Sequence, residues 1–406
     1  PLDKRRAVEL LEQGRTIIWN QMTRLRTPLD NLQTHNDHAA ALMKRFRDLS
    51  SLLDRPSASH GDGTPSVNVE AADARYRRLV EDWNGVVEEI RKIEGFSRFL
   101  LPPMFGDLQE AARDGPIIVL VASKSSCDAI IIPHKQSPTS IRLPTDLEKL
   151  QTLVVKLQRT SRSALPKALM ELWDDVVRPV YRKDGHFLSQ LYISSYTPSL
   201  AALIKARRHD RSLSDSPPGV SFTLDCVERE LESVRSLLPP PPTVSFTKIT
   251  SVDATRSRAL RALQDNTWLH FSCYGTQNYE DPFNSAFLMR DQPLSLLDIT
   301  QMDLSQHEFA FLSACDTTAD DPSTPDEVIH LAAGLQFAGV KSVVGTLWKV
   351  TDATVQRLVE FYKNFCKDGK MNSKRAARAL HQAVHSLASD KDMPLDQRIV
   401  FVHIGI

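Results

Sequence analysis

The sequence predicts an α/β fold, a mostly parallel sheet with helices on both faces, preceded by an all-helical region. Three observations carry this. Apolar, β-branched and aromatic runs recur at "WLHFSCYGTQ" (268–277), "FAFLSACDTT" (309–318) and "KSVVGTLWKV" (341–350), and each has the length of a buried strand. Stretches with apolar residues three and four apart separate and follow these runs, so strands alternate with helices. The first hundred residues carry only the helical spacing.

At the N-terminus, Ala7, Leu10, Leu11, Ile18, Met22 and Leu25 mark one amphipathic helix. Leu42, Phe46, Leu49 and Leu53 mark a second, and Tyr76, Leu79, Trp83, Val86, Ile90 and Ile93 a third. Between the last two, "DRPSASHGDGTPS" is rich in turn-forming residues and poor in side chains to bury, so a flexible loop is expected. Residues 1–105 are read as this helical region. No repeat of tetratricopeptide length can be demonstrated in it, although its first helices could pack against repeats lying upstream. The chain begins with proline rather than methionine, which suggests a piece of a longer protein.

After "LPPMFGD" the texture changes, and residues 115–406 are expected to form the α/β domain. "PIIVLVAS" and "CDAIIIPH", separated by Lys124, Ser125 and Ser126, read as a hairpin. Thr145 and Glu148 have the spacing of a capping box, ahead of a helix carrying Leu150, Val154 and Leu157. A further helical run covers Ala164 to Arg182. Leu191 to Ser194 reads as a strand and Thr197–Pro198 as the N-cap and first residue of the next helix. "VERELESVRSLL" is helical until Pro239 to Pro242 stop it. Beyond the run at Phe309, Thr324, Pro325 and Glu327 open the helix "DEVIHLAAGLQFAG", and Gly339 closes it. "TDATVQRLVEFYKNFCK" and "SKRAARALHQAVHSL" are helices, and "RIVFVHIGI" is a final strand.

Composition narrows the function classes. Fifty basic residues balance fifty acidic ones, so no net field favours nucleic acid or an anionic membrane. No apolar run approaches a membrane span and "PLDKRRAVELL" is too charged for a secretory signal, so a cytoplasmic protein is expected. The five cysteines lack CxxC spacing, which argues against a zinc site and a disulfide framework. "HQAVH" sets His381 and His385 one helical turn apart but lacks the glutamate of a zinc-protease helix. No phosphate-cradling glycine motif occurs, and no cofactor is expected.

Ligands of open α/β sheets sit beyond the carboxyl ends of the strands, where Tyr274, Cys315 and Trp348 all fall. Here "LHFSCYG", "FAFLSACDT", "DEVIHLAAGLQFAGVKSVVGTLWKVTD" and "FVHIGI", with "SSYTPSLAALIKAR" and "VEREL", resemble the CHAT domain. That family is related to caspases and separase and often adjoins tetratricopeptide repeats. The resemblance implies a caspase-like three-layer α/β domain with a Cys-His dyad that cleaves peptide bonds in a protein or peptide partner. The cysteine of the family's "SAC" motif falls on Cys315, as nucleophile. The histidine of its "HG" motif falls on Tyr274, with Gly275 in the oxyanion region.

The tyrosine matters because a free thiol, with a pKa near about 8.5, is only a few per cent thiolate at neutral pH. An adjacent base normally takes its proton and later protonates the leaving amine, help worth roughly 10²- to 10⁴-fold. A phenol, with an ordinary pKa of about 10, can donate a hydrogen bond but rarely accepts that proton. His270 is no direct substitute, since four residues along a strand is about 13 Å, and it reads as a core or interface histidine. His330, on the helix after the cysteine, is a second candidate base. A further departure is the short "HFLSQL" before "SSYTP", where family members carry an additional strand and loop.

Cys273 points to the face opposite Tyr274 and is expected to pack. Asp316, Asp320, Asp321, Asp326 and Glu327 crowd one stretch without a basic residue, and Asp316, Asp320 and Asp321 with Trp348 are candidate substrate contacts. Two function classes follow. One is a degenerate CHAT-domain protein that keeps the groove to bind a protein partner; the other is a competent cysteine endopeptidase whose base is unidentified.

Overall fold

The computed structural model describes residues 3–23, 37–53, 66–94, 96–101, 103–159, 165–180, 193–208, 220–223, 227–241, 243–276, 278, 282–313, 315–316, 330–347, 350, 359–369, 371–388 and 393–406. The expected loop between the second and third helices lies outside them up to its last residue. Backbone contacts divide the chain into a helical unit, Val8–Met104, and a larger unit, Pro1–Ala7 with Phe105–Ile406.

In the helical unit the periodic residues do what their spacing demands. The helices Asp37–Leu53 and Ser66–Arg91 bury Ala39, Met43 and Phe46 against Val86, Val87 and Ile90, and Phe99 closes the cluster. Trp83 satisfies its one donor by giving a 2.9 Å hydrogen bond to Ser50 Oγ.

The larger unit contains thirteen strands among the described residues. They are β1 (Ile117–Ala122), β2 (Cys127–Ile132), β3 (Thr139–Arg142), β4 (Val220–Thr223), β5 (Thr247–Ile249), β6 (Trp268–Ser272), β7 (Tyr274–Thr276), β8 (Ala286–Phe287), β9 (Leu294–Ser295), β10 (Phe309–Leu312), β11 (Cys315–Asp316), β12 (Ser342–Thr346) and β13 (Phe401–Gly405). The main sheet has the order β13-β12-β10-β6-β4-β5 and is parallel except for β13, which runs antiparallel to β12. Alternate residues of its strands serve two cores. Leu269, Phe271, Ala310, Leu312, Val343 and Ile404 pack with the helices Arg256–Asp265 and His330–Ala338. Trp268, Phe309, Phe311, Val344 and Phe401 pack with Val359–Phe365 and Ala376–Ala388. Helices therefore cover both faces, which makes three layers and gives the predicted α/β class.

Several local readings change. The hairpin β1–β2 is present, but β3 joins it in a three-stranded antiparallel sheet. The helix after it begins at Leu147 and is capped by Asp146, whose Oδ1 accepts from Lys149 N at 2.7 Å, not by Thr145. Two adjacent cap residues compete here, and the carboxylate, being charged, is the better acceptor for a helix N-terminus. Likewise Ser199, not Thr197, caps Leu200–Arg208: Ser199 Oγ accepts from Ala202 N, while Thr197 Oγ1 donates to Ser199 O. Of the strand expected at Leu191–Ser194, residues 193 and 194 are not strand and the pairing is a single bridge at Tyr196, beside Ile404; residues 191 and 192 lie outside the described chain. The run expected at Ala164–Arg182 is helical over Leu165–Val180 with a π turn at Trp173–Val177, where Pro179 lacks the N–H that an α-helix would give to Asp175. Gly339 closes its helix at φ +122°, and a Cβ there would lie 2.5 Å from Ser305 N.

Candidate functional site

Two central strands of the main sheet, β6 and β10, are paired from Phe309–Trp268 to Leu312–Phe271. Beyond their carboxyl ends both chains pass into a second sheet of order β11-β7-β8-β9. Ser313 N donates to Phe271 O at 2.8 Å across the passage, and the register carries on, so Cys315 pairs with Tyr274 and Asp316 with Gly275. Adjacent strands are about 4.8 Å apart, which puts the two motif positions side by side. Tyr274 is 44% exposed, whereas Cys273 before it is buried in the core, as strand alternation requires. Gly275 is buried between Phe287 of β8 and Asp316 of β11.

Behind the strand end lies a buried polar network that sequence reasoning did not assemble. His270 is held at both ring nitrogens, Nδ1 by Tyr362 Oη at 2.6 Å and Nε2 by Glu230 Oε1 at 2.8 Å. Ser272 Oγ donates to the other Glu230 oxygen at 2.5 Å. This ties the carboxyl end of β6 to the helices Val227–Leu237 and Val359–Phe365. Burial, reinforced by the Glu230 charge, raises the Tyr362 hydroxyl well above the usual range and pushes the Cys273 thiol up to about 12. Cys273 is therefore an inert core thiol, and His270 is the core histidine expected.

A second buried histidine makes a similar contrast. His403 of β13 lies between Ser195 Oγ, 2.7 Å from Nδ1, and Ser342 Oγ, 2.8 Å from Nε2. Ser195 Oγ also reaches Gly405 O at 2.9 Å, so its proton goes there and a neutral imidazole completes the chain. Burial drives His403 down to about 3. The Ser–His spacing looks catalytic, but a base that weak cannot activate a hydroxyl at neutral pH, so the pair is a structural tie. His307 is buried too, with Nε2 2.7 Å from Leu263 O and a lowered pKa caused mainly by desolvation.

Tyr274, Gly275, Cys315 and Asp316 are thus brought together by backbone register. Asp320, Asp321 and Trp348 lie outside the described residues, as do the capping residues Thr324, Pro325 and Glu327 and the short segment "HFLSQL". His330 opens the helix His330–Ala338. His381 and His385 lie on Ala376–Ala388, and among the described residues no cluster of three or more His, Cys, Asp or Glu could hold a metal. No described helix is long and apolar enough to cross a membrane.

Comparison with known proteins agrees with the motif reading. The CHAT domain family matches residues 141–401. Among solved structures, the chain is similar to a Saccharomyces cerevisiae separase–securin complex at 10% identity and a TM-score of 0.48, over 95% of this chain and 37% of that one. A second structure of the complex gives 11% identity and a TM-score of 0.34, over 90% of this chain and 27% of the other. The present chain therefore spans well under half the length of these solved chains. No curated protein sequence matches it significantly.

Proposed function

Because this chain belongs to the CHAT domain family, we propose that its α/β unit is a caspase-type cysteine site that holds a peptide of a protein partner in the cytoplasm and has lost most of its hydrolytic capacity. In this reading Cys315 stands at the nucleophile's position and Tyr274 at that of the base. Backbone N–H groups around Gly275 and Cys315 face the oxyanion, and Asp316, Asp320, Asp321 and Trp348 contact the peptide. No cofactor takes part.

One observation carries the reading: the register pair Cys315–Tyr274 at the ends of two central strands. It supports a thiol whose nearest partner in the ladder is a phenol, a hydrogen-bond donor and a poor base. His270 does not fill the gap, since both its nitrogens are engaged inside the core.

A thiol-reactive peptide probe tests this. Tyr274→His is expected to raise the labelling rate of Cys315, and any peptide cleavage, by roughly 10²-fold or more. Cys315→Ala abolishes both. If the unmodified protein cleaves peptides and Tyr274→His brings no gain, the reading is wrong and the chain is a competent endopeptidase with its base elsewhere, His330 being the first to replace.

A further inference from the structure

We propose that Ser195 and Tyr196 form an acid-released strap, which lies along the outer side of β13 and lets go of it when His403 takes up a proton. Tyr196 N donates to His403 O at 2.8 Å and Gly405 N to Tyr196 O at 3.0 Å, a single parallel bridge beside Ile404. Ser195 Oγ adds its contacts with His403 Nδ1 and Gly405 O. These few bonds are the strap's hold on the sheet among the described residues.

The two sides of that contact differ in strength. Ile193, Ser194, Ser195 and Tyr196 are all exposed, whereas β13 is buried along its length and paired with β12 from Ser342–Gly405 to Thr346–Phe401. Beyond the strap the chain is anchored, since Ser199 is buried and caps Leu200–Arg208, with Leu200, Ala202 and Leu203 buried in turn. A segment with exposed backbone bonds and little buried area opens at a smaller cost than a core strand. Thr197 and Pro198, between strap and anchor, are where it hinges.

His403 makes the opening sensitive to acid. With a neutral ring the hydrogen bonds close in sequence: Ser342 Oγ donates to Nε2, Nδ1 to Ser195 Oγ, and Ser195 Oγ to Gly405 O. A second ring proton finds no anion. The ionisable residues on the elements around β13 are Tyr196 of the strap, His330 on His330–Ala338, Arg378, His381 and His385 on Ala376–Ala388, and Asp396 and Arg398 on Leu395–Arg398. Lys341, just before β12, is paired with Glu308. Burial alone lowers the His403 pKa, to about 3 from an ordinary 6.5, so none of these charges offsets it. Lifting the strap puts water where Ser195 stood and hydrates the imidazolium. Between the two values the open form binds more protons, so acid favours opening by about tenfold per pH unit. From pH 7 to pH 5 the open fraction rises about 25-fold, uncovering the outer main-chain groups of His403 and Gly405. The chemistry of Cys315 plays no part in this device.

Amide hydrogen exchange read by NMR, corrected for the intrinsic effect of pH, tests it. Protection of the Tyr196 and Gly405 amides is expected to hold steady above pH 7 and fall about 25-fold by pH 5. It should stay below that of the β10 amides at both pH values and change little in dilute urea, because a local opening exposes little surface. In His403→Gln, or His403→Asn, the fall should shrink to a few-fold or less. Protection that is flat from pH 7 to pH 5 overturns the proposal. So does protection equal to that of β10 and equally sensitive to urea, which would mean that these amides exchange only by global unfolding. A fall that persists undiminished in the His403 variants overturns it as well, by assigning the acid response to another group.

Discussion

His403 offers a prediction whose size can be worked out from the structure. Its imidazole is 2% exposed, tied at both nitrogens to Ser195 and Ser342, and pushed by burial from an ordinary 6.5 down to about 3. In the unfolded chain the same group takes up a proton near pH 6.5. Between these values the unfolded state binds more protons, so His403 contributes its full stabilisation above pH 6.5 and loses it as pH falls towards 3. One pH unit inside that window is worth about 1.36 kcal/mol, and lowering pH from 7 to 5 removes about 2 kcal/mol through this residue alone. Urea unfolding at the two pH values, followed by tryptophan fluorescence, measures the loss. Other groups titrate as well, so the quantity to compare is the difference between the unmodified protein and His403→Gln, whose amide does not titrate. The unmodified protein should lose about 2 kcal/mol more than the variant, whatever their stabilities at pH 7. Equal losses would refute the reasoning. An NMR titration gives an independent check, because the His403 ring signals should not shift above about pH 4.

Removing the acceptor of the other network, by Glu230→Ala, leaves His270 and Ser272 buried without their partner and should cost about 3 kcal/mol in urea unfolding; a loss below about 1 kcal/mol would mean the network is not closed. Gly339→Ala must hold a side chain at φ +122° against the Ser305 backbone, and a cost above about 2 kcal/mol is expected, whereas Gly115→Ala, which meets nothing within 4 Å, should change stability little. Burial holds Cys273 at about 12 and Cys366 at about 11. Neither should be alkylated by iodoacetamide at pH 8 in the folded protein, and mass spectrometry that finds either modified before unfolding would contradict the burial argument.

Much of the fold was legible because it is local. The runs at 268, 309 and 342 are strands, the spacing around Phe46 and Ile90 forms helices, and Gly339 ends its helix as a glycine at positive φ does. The pairs of strands that sequence reasoning passed over, β4 with β5 and β8 with β9, are two to four residues long and flanked by turn-forming residues. Such short runs carry too little periodicity to separate from loop. The antiparallel course of β13 was equally hidden, since a strand's alternation reads the same in either direction. Capping was legible as a region but not to the residue, because Thr145 and Asp146, or Thr197 and Ser199, are chemically interchangeable until the first turn chooses one.

The site divides along the same line. By itself the sequence determined that a cysteine and a tyrosine end two buried strands and that Cys273 faces inward; the first follows from contiguous motifs and the second from strand alternation. Only the tertiary structure decided that those two strands are neighbours in a register that sets Cys315 against Tyr274. It also decided that Glu230, His270 and Tyr362, which are 40 and 92 residues apart along the chain, meet behind them, and that Leu288 stands across from the tyrosine. The physical reason is that a residue's side-chain direction is fixed by its immediate backbone, whereas its partner across a sheet is fixed by how distant segments share one hydrophobic core, and that sharing has no local signature.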